Sequence, residues 1–396
     1  MTGNSVEEEK KTFWTRNFVL VCLSNLLIFA AFQMLLPIMP FYMKANGENP
    51  SHTGYVIGIA TLAAVLVRPF IGKGLDTLGR RPLFLVGIIL FSIAAVSFYF
   101  AKSAIWIYMS SIWLGLGWGA TTVSLATIAS DFVPKQRQGE GMGYFVLSSL
   151  LALAFAPGLG LRLAAGTDCI ALVFLVSLMF LLLTLALSSA IKLTKKDTSK
   201  QASPRFWPTN KSILLPPVAM MTYAFGYGSI LSFLSLYGEN QHIEHIGWFY
   251  VVCYAMAALT RPFAGTWYDK SGYRQVLASG LALSMIGLFL LSYTRSDIML
   301  IAAAISFGLG FGLVQPSLLT LTIEKADHSF RGMANSYFFM GMDLGISISS
   351  MVLGGLVDAI GFPWIYRFVS FLMIPLILGV TGIVRFGSAN KSYDAD

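Results

Sequence analysis

Residues 68–82 read RPFIGKGLDTLGRRP, and residues 261–274 read RPFAGTWYDKSGYR. The second stretch repeats the first 193 positions later, with the same arginine, proline, phenylalanine, aspartate and two glycines at the same spacing. The recurring residues are Arg68, Pro69, Phe70, Gly72, Asp76 and Gly79, matched by Arg261, Pro262, Phe263, Gly265, Asp269 and Gly272. A repeat with this long a period indicates a chain built from two related halves.

The same register holds outside this stretch. Glycines at 115, 117 and 119 recur at 308, 310 and 312, and the dipeptide Tyr-Phe at 144 recurs at 337. We therefore predict one half over residues 1–193, a linker over 194–211 and a second half over 212–396. The linker is the longest polar stretch and is rich in Lys, Ser and Pro, as solvated connections are. Halves with an even number of membrane spans share one orientation, and a central cavity is expected between them.

The composition is that of a membrane protein. Of the 396 residues, 56% are hydrophobic and only 12% are charged, and the mean hydropathy is +0.70. A helix needs about 20 apolar residues to cross the hydrocarbon core of a bilayer. We predict an all-α integral membrane protein with twelve transmembrane helices, six in each half. The predicted spans are 17–43, 53–72, 82–100, 104–130, 139–164 and 167–192, then 212–238, 246–265, 274–293, 297–324, 331–356 and 362–386.

Basic residues are distributed unevenly among the loops. With a cytoplasmic N-terminus, the inside segments hold 20 Lys and Arg and the outside loops hold four. Cytoplasmic loops carry such an excess, so we predict a multi-pass protein of the plasma membrane with both termini cytoplasmic. The distribution also accounts for the net charge of +8 without a nucleic-acid partner. The remaining arginines, Arg68, Arg261 and Arg367, are assigned to the ends of spans.

Five residues of the loop between spans 2 and 3 resemble the loop signature of the major facilitator superfamily, and a degenerate copy follows span 8. The residues are Gly72, Asp76, Gly79, Arg80 and Arg81, then Gly265, Asp269, Gly272 and Arg274. Arg68 and Arg261 precede the two copies and are counted with this gate motif. The resemblance implies that Asp76 meets the polarised N-terminus of helix 11, near Gly332, and closes the cytoplasmic side. Alternatively, these residues only fix the topology.

Span 5 contains the segment GYFVLSSLLALAFAPGLG. It resembles the glycine-rich helix-5 motif of antiporters in the same superfamily, with alanine at two of the usual glycine positions. The matching residues are Gly143, Ala152, Ala156, Pro157 and Gly160. This resemblance favours export over import, and ordinary packing of small residues is the alternative. Span 4 differs from drug exporters, which often carry an arginine where this chain has Ser111.

One carboxylate, Asp343, is predicted well inside a span. It lies 10 to 12 residues into helix 11, near the middle of the membrane. A carboxylate there is expensive unless it is paired or protonated, so Asp343 is our candidate for proton coupling. A structural, hydrogen-bonded role is the alternative. The surrounding segment MGMDLGISISS resembles helix 11 of Gram-positive drug and metallophore exporters.

Helices 1, 4, 7 and 10 line the cavity in this superfamily, so their polar and aromatic residues are candidates for substrate contact. Asn25, Phe29 and Gln33 are spaced four residues apart and share one helix face. The candidates from the other three helices are Thr121, Thr122, Tyr223, Tyr227 and Gln315. Polar residues also hold membrane helices together, which is the alternative at each position.

The leading interpretation is a proton-coupled exporter of small amphipathic or drug-like molecules that resembles twelve-helix drug:proton antiporters. The second is a transporter of one metabolite, sugar or metallophore. Importers of carboxylates place Arg or Lys deep in the cavity, and we expect none here, so Asp343 favours neutral or cationic substrates. A membrane sensor or enzyme is a remote alternative, since no catalytic cluster is visible.

The expected partners are a small-molecule substrate, protons and the lipid bilayer, and the chain is expected to be a monomer. No cofactor and no metal site are predicted. No phosphate-binding glycine loop indicates transport driven directly by ATP.

Overall fold

The structure, a computed structural model, describes residues 14–134, 138–165, 170–191, 211–326 and 331–387. Within these ranges the chain is helical and contains no strand. The helices are α1 (Arg16–Gln33), α2 (Met39–Ala45), α3 (Thr53–Thr77), α4 (Arg80–Phe100), α5 (Ala104–Phe132), α6 (Gln138–Leu163), α7 (Ile170–Ala190), α8 (Leu215–Asn240), α9 (Trp248–Leu291), α10 (Asp297–Glu324), α11 (Arg331–Ile360), α12 (Phe362–Phe371) and α13 (Met373–Gly387).

Eleven helical segments of the described residues are long and apolar enough to cross a membrane. Helices α1 and α2 form the first crossing through a short 3-10 turn, and α12 and α13 form the last. Helix α9 is 44 residues long and contains two crossings, because Gly272 interrupts it with φ 74° and ψ 161°. The first of these crossings is the twelfth segment, and it is less apolar because it carries Arg261. The prediction of an all-α fold with twelve spans is confirmed.

The two halves also repeat each other in their backbones. Gly79, at φ 92° and ψ 163°, and Gly272 turn the chain in the same way 193 positions apart. Glycine adopts this conformation without the strain that a side chain would add. Ser103 and Ser296 cap α5 and α10 in the same way, each accepting a hydrogen bond from a backbone N–H three residues on. The prediction of two homologous halves is confirmed.

The predicted linker, residues 194–211, lies outside the described residues except for its last position. The boundaries that we assign to the two halves therefore stay a prediction.

Close helix approaches are repeated as well. A Cβ atom on Gly115 would meet the backbone carbonyl of Ala60, and one on Gly308 would meet that of Cys253. Both members of the second contact lie 193 positions after their counterparts. Small residues let membrane helices pack backbone to backbone, so α5 packs on α3 as α10 packs on α9.

The two most extensive helix contacts between the halves are α3 on α11 and α6 on α9. We call the face that carries Gly79 and Gly272 the motif face, and the face that carries residues 46–52 the distal face. Helix α3 runs from the distal face to the motif face, and α11 runs back. This antiparallel contact between the halves positions the site described below.

The halves are joined tightly near the distal face. A Cβ on Gly54 of α3 would meet the Ser350 carbonyl of α11, and the Ser347 hydroxyl donates to the Gly58 carbonyl at 2.8 Å. Gly158 of α6 likewise lies against α9. The protein is therefore closed at this face.

Polar contacts across the halves add to the closure of the distal face. Lys44 and Glu239 form an exposed ion pair at 2.8 Å. Asp358, at the end of α11, accepts hydrogen bonds from Asn49, at 2.9 Å, and from Ser51. Towards the motif face, a Cβ at one glycine in each of three helices of the interface would meet no atom within 4 Å. These positions are Gly72 in α3, Gly143 in α6 and Gly265 in α9.

Candidate functional site

A buried ion pair crosses the interface between the halves. The Arg68 guanidinium of α3 lies 2.7 Å from Asp343 Oδ2 of α11, and the two side chains are 5% and 4% exposed. The guanidinium also lies over the ring of Phe339, 5.6 Å from its centre, in a cation–π contact. Since Phe339 and Asp343 are one helical turn apart, α11 presents an aromatic face and a carboxylate to the same arginine.

This pair corrects the expectation that Arg68 lies at the end of a span and that no basic residue lies deep. Helix α3 does not end near residue 72 but continues to Thr77. Arg68 therefore lies nine residues, or about 14 Å, inside the helix. Asp343 lies twelve residues, or about 18 Å, after the start of α11. The missed signal is the polar segment GKGLDT, which extends the helix rather than ending it.

Arg261, the repeat equivalent of Arg68, is also inside a helix but has different neighbours. Its Nη2 donates to Gln315 Oε1 of α10 at 2.9 Å. The Gln315 Nε2 in turn lies 3.8 Å from the sulfur of Met342, the residue before Asp343. A continuous set of contacts therefore runs from α3 through α11 and α10 to α9. We call it the buried polar cluster, and it contains Arg68, Phe339, Met342, Asp343, Gln315 and Arg261.

The charges of the buried polar cluster do not balance. Arg68 has Asp343 as its counter-charge, whereas the Arg261 guanidinium contacts no carboxylate within the part of the chain that the structure describes. The Arg261 Nε is buried and has no hydrogen-bond partner there. Two arginines and one aspartate give the cluster a formal charge of +1. The expectation that Asp343 favours neutral or cationic substrates stays a prediction.

Two predicted cavity residues meet across the halves. The hydroxyl of Tyr227 in α8 lies 2.6 Å from that of Tyr254 in α9, and the Gln33 side chain of α1 contacts the same Tyr227 hydroxyl. All three side chains are buried. Tyr223, one turn earlier, bonds to Ser284 at 3.0 Å within its own half. Sequence reasoning missed Tyr254 because α9 was not among the expected lining helices.

The other cavity candidates have partners within the first half. Asn25 donates to the Phe145 carbonyl at 3.2 Å and to Ser148 at 2.9 Å, which ties α1 to α6. Phe29 packs edge-on against Trp118, with ring centres 4.7 Å apart. The hydroxyls of Thr121 and Thr122 donate to carbonyls of their own helix. A substrate role for these four residues stays a prediction.

The gate motif is only partly described. Arg80 forms an ion pair with Asp131 at the end of α5. At the equivalent place in the second half, Glu324 accepts a hydrogen bond from Tyr268 at 2.7 Å. Arg81 and Arg274 are exposed. The structure does not describe the surroundings of Asp76, Asp269 and Gly332. Closure by this motif therefore stays a prediction.

The motif of predicted span 5 corresponds to α6. Ala152 and Ala156 are fully buried, and Pro157 stands inside the helix. A Cβ on Gly160 would meet the Met34 carbonyl, so the small residues let α6 approach the end of α1 closely. Gly143, near the other end of α6, has open space around it.

Comparison with known proteins supplies the family context. The family model described as Major Facilitator Superfamily matches residues 21–245 and 218–392. The chain is similar to Multidrug resistance protein MdtG of Rahnella sp. (strain Y9602), at 25% identity over 96% of this chain and 93% of that protein. It is also similar to Staphylopine export protein of Staphylococcus aureus (strain Mu50 / ATCC 700699), at 21% identity over 91% of this chain and 94% of that protein.

A solved structure shares the fold. The crystal structure of a POT family transporter in complex with 5-aminolevulinic acid superposes with a TM-score of 0.77. The match covers 95% of this chain and 97% of that chain, at 12% identity.

Proposed function

The chain belongs to the major facilitator superfamily, and we propose that it is a proton-coupled exporter of small amphipathic molecules that works by alternating access. The chain is a multi-pass membrane transporter rather than an enzyme. Coupling to protons, the direction of transport and the monomeric state belong to the proposal. The observation that carries it is the buried Arg68–Asp343 ion pair, which joins the two halves along α3 and α11.

The ion pair can couple protonation to movement of the halves. Ionised Asp343 stabilises the contact between α3 and α11, because separating a buried pair exposes two uncompensated charges to a poorly polar environment. A proton on Asp343 removes the negative charge and with it the attraction for Arg68. Proton binding therefore shifts the equilibrium between the packed and separated arrangements of these helices. The structure, closed at the distal face with the pair intact, corresponds to the stage after proton release.

A cationic group of the substrate completes the antiport scheme. A protonated amine and a proton compete for one carboxylate, so each displaces the other from Asp343. With the termini in the cytoplasm, the motif face is cytoplasmic and the distal face is external. Protons then enter from the distal side and leave to the motif side, in exchange for substrate.

Export is supported by the names of the relatives, a multidrug resistance protein and an export protein. The close packing of α6 through Ala152, Ala156 and Gly160 is compatible with the antiporter motif that this segment resembles. A dedicated transporter of a single metabolite or metallophore remains the second candidate function, and the uncompensated charge of Arg261 favours it. A site for a charged group suits a narrower set of substrates.

Substrate-driven proton movement in liposomes tests the proposal. Purified native protein, Asp343→Asn and the control Asp358→Asn are compared across lipophilic cations and small metabolites. Asp358 is on the same helix as Asp343, and the contacts described for it lie at the distal face. The native protein and Asp358→Asn are expected to move protons, and Asp343→Asn to bind substrate without moving them. Equal proton movement by Asp343→Asn would remove this residue from the mechanism.

A further inference from the structure

We propose that Arg261 and Gln315 form a subsite for a carboxylate of the transported molecule. The substrate class is then an amphipathic molecule that carries a carboxylate together with a cationic amine. This inference rests on the proposed transport function, because it assigns one end of the buried polar cluster to substrate. Its basis is the different surroundings of two arginines that the repeat makes equivalent.

The repeat identifies what Arg261 lacks. Arg68 of α3 has its counter-charge on α11, at position 343. Helix α9, which carries Arg261, packs on α6 as α3 packs on α11. The residue of α6 equivalent to Asp343, 193 positions earlier, is Leu150, which is buried. An apolar side chain thus occupies the position from which a carboxylate neutralises the other arginine.

The partners that Arg261 does have cannot neutralise its charge. It donates to the neutral oxygen of Gln315, and its buried Nε has no partner among the described residues. Among the described contacts, the Gln315 amide nitrogen faces only the Met342 thioether, at 3.8 Å, and sulfur is a weak acceptor. A cation that is largely buried and has no counter-charge is unfavourable. The site therefore offers a positive charge and several free N–H donors to an incoming group.

A carboxylate fits these donors best. The planar guanidinium presents paired N–H groups that match the two oxygens of a carboxylate. The Gln315 amide can add a further N–H donor. Arg261 is partly exposed. The thioether of Met342 offers a polarisable surface beside the carboxylate for an apolar or aromatic part of the ligand.

The same geometry explains how a molecule with two charges can be exchanged for a proton. Met342 and Asp343 are consecutive in α11, so the Gln315–Met342 contact joins the arginine end to the helix that carries the carboxylate. A carboxylate on Arg261 retains the molecule, while its amine competes with the proton at Asp343. A molecule with the carboxylate alone gains the first contact but does not compete with the proton.

Matched acid and ester probes test the subsite. The probes are ciprofloxacin and its ethyl ester, and dansyl-lysine and its methyl ester. Each pair shares an aromatic body and an amine and differs in the free carboxylate. Binding is measured by the shift in thermal unfolding of the purified protein over a concentration series. The native protein is expected to bind at least one acid about 10- to 100-fold more tightly than its ester.

Four variants locate that preference. Arg261→Gln should abolish it, and Arg261→Lys should keep part of it, because the charge remains but the paired donors are lost. Leu150→Asp should abolish it with Arg261 in place, by supplying an internal counter-charge. Leu150→Asn, which has a similar size and no charge, should keep it. The unfolding temperature without ligand shows that each variant is folded.

The outcomes separate the subsite from the transport function. If neither acid binds the native protein more tightly than its ester, or if Arg261→Gln keeps the preference, the subsite is wrong. Proton movement driven by lipophilic cations would then still support the antiporter. A preference for acids that depends on Arg261, without any proton movement, would support the subsite and contradict the coupling.

Discussion

Arg68 and Arg261 occupy equivalent positions in two halves that share their backbone turns, helix caps and glycine contacts. In the first half, the arginine meets an aspartate of the other half at 2.7 Å. In the second half, the arginine meets a neutral glutamine at 2.9 Å. The backbones have kept the duplication while the side chains have diverged. In our proposal, this divergence assigns one arginine to a protonation switch and the other to a ligand.

The largest expected effect is a loss of stability when Arg68, the arginine that is paired with an aspartate, is removed. Arg68→Leu leaves the buried Asp343 charge unpaired and should lower the free energy of unfolding by about 3–5 kcal/mol. Arg261→Leu leaves no such charge and should change it by less than about 1 kcal/mol. Unfolding in mixed micelles measures both. If the two variants lose equal stability, the contrast between the halves is wrong.

A double variant controls for the loss of packing at the same place. Arg68→Leu combined with Asp343→Leu removes both charges and should recover most of the lost stability. Failure of the second substitution to recover any stability would show that packing, and not charge, holds this contact.

The next effect compares two equivalent glycines at the distal face. Gly54→Ala places a methyl group on the Ser350 carbonyl of α11, whereas the same change at Gly247 meets its nearest atom at 3.3 Å. Overpacking typically costs about 1–3 kcal/mol, so Gly54→Ala should destabilise the protein by about that amount and slow transport. Gly247→Ala should cost less than Gly54→Ala, because its neighbour needs to move by only a few tenths of an ångström. The same unfolding assay measures the stability of both variants, and an uptake assay in liposomes measures their transport. Similar losses of stability at the two positions would contradict a distal closure that depends on α3 and α11.

A smaller effect concerns the contacts at the motif face. Tyr268→Phe removes a hydrogen bond to the Glu324 carboxylate and should cost about 1–2 kcal/mol. Tyr273→Phe, at the position equivalent to Arg80, has no such hydrogen bond to lose among the described contacts and should cost less than about 0.5 kcal/mol. Unfolding curves of the two variants, measured side by side, decide the point. A greater loss at Tyr273 would contradict the assignment.

The smallest effect is expected at the exposed ion pair of the distal face. Lys44 and Glu239 are 62% and 43% exposed, and surface pairs contribute about 0–1 kcal/mol. Lys44→Ala should therefore change stability and transport little, and the change should disappear in about 1 M salt. A large effect that salt leaves unchanged would show that this pair, rather than the contact between α3 and α11, closes the distal face.

The repeat, the twelve spans and the depth of Asp343 could be predicted from the sequence because each depends on local composition or on register. The partner of Asp343 could not, since it depends on which helices meet across the halves. Because we ended span 2 at residue 72, we also assigned Arg68 to the end of a span. The repeat register did contain one unused signal: Asp343 has Leu150 as its counterpart, so the two arginines could not both be paired in the same way.

The cavity candidates show the same limit. The four-residue spacing of Asn25, Phe29 and Gln33 places them on one face of α1, but a shared face does not fix what each side chain meets. Asn25 bonds to α6 of its own half, whereas Gln33 reaches Tyr227 in the other half. The helices that pack around α1 determine this difference, and the spacing alone does not encode it.

Substrate exchange in liposomes, with and without a proton gradient, tests the separate roles of the two arginine sites most directly. Asp343→Asn should exchange labelled ciprofloxacin across the membrane at equal pH but fail to accumulate it when a gradient is imposed. Arg261→Gln should lose both exchange and accumulation of the acid, while it retains both for the ester. If Asp343→Asn accumulates the acid as the native protein does, or if Arg261→Gln treats acid and ester as the native protein does, the division of labour between the two halves is contradicted.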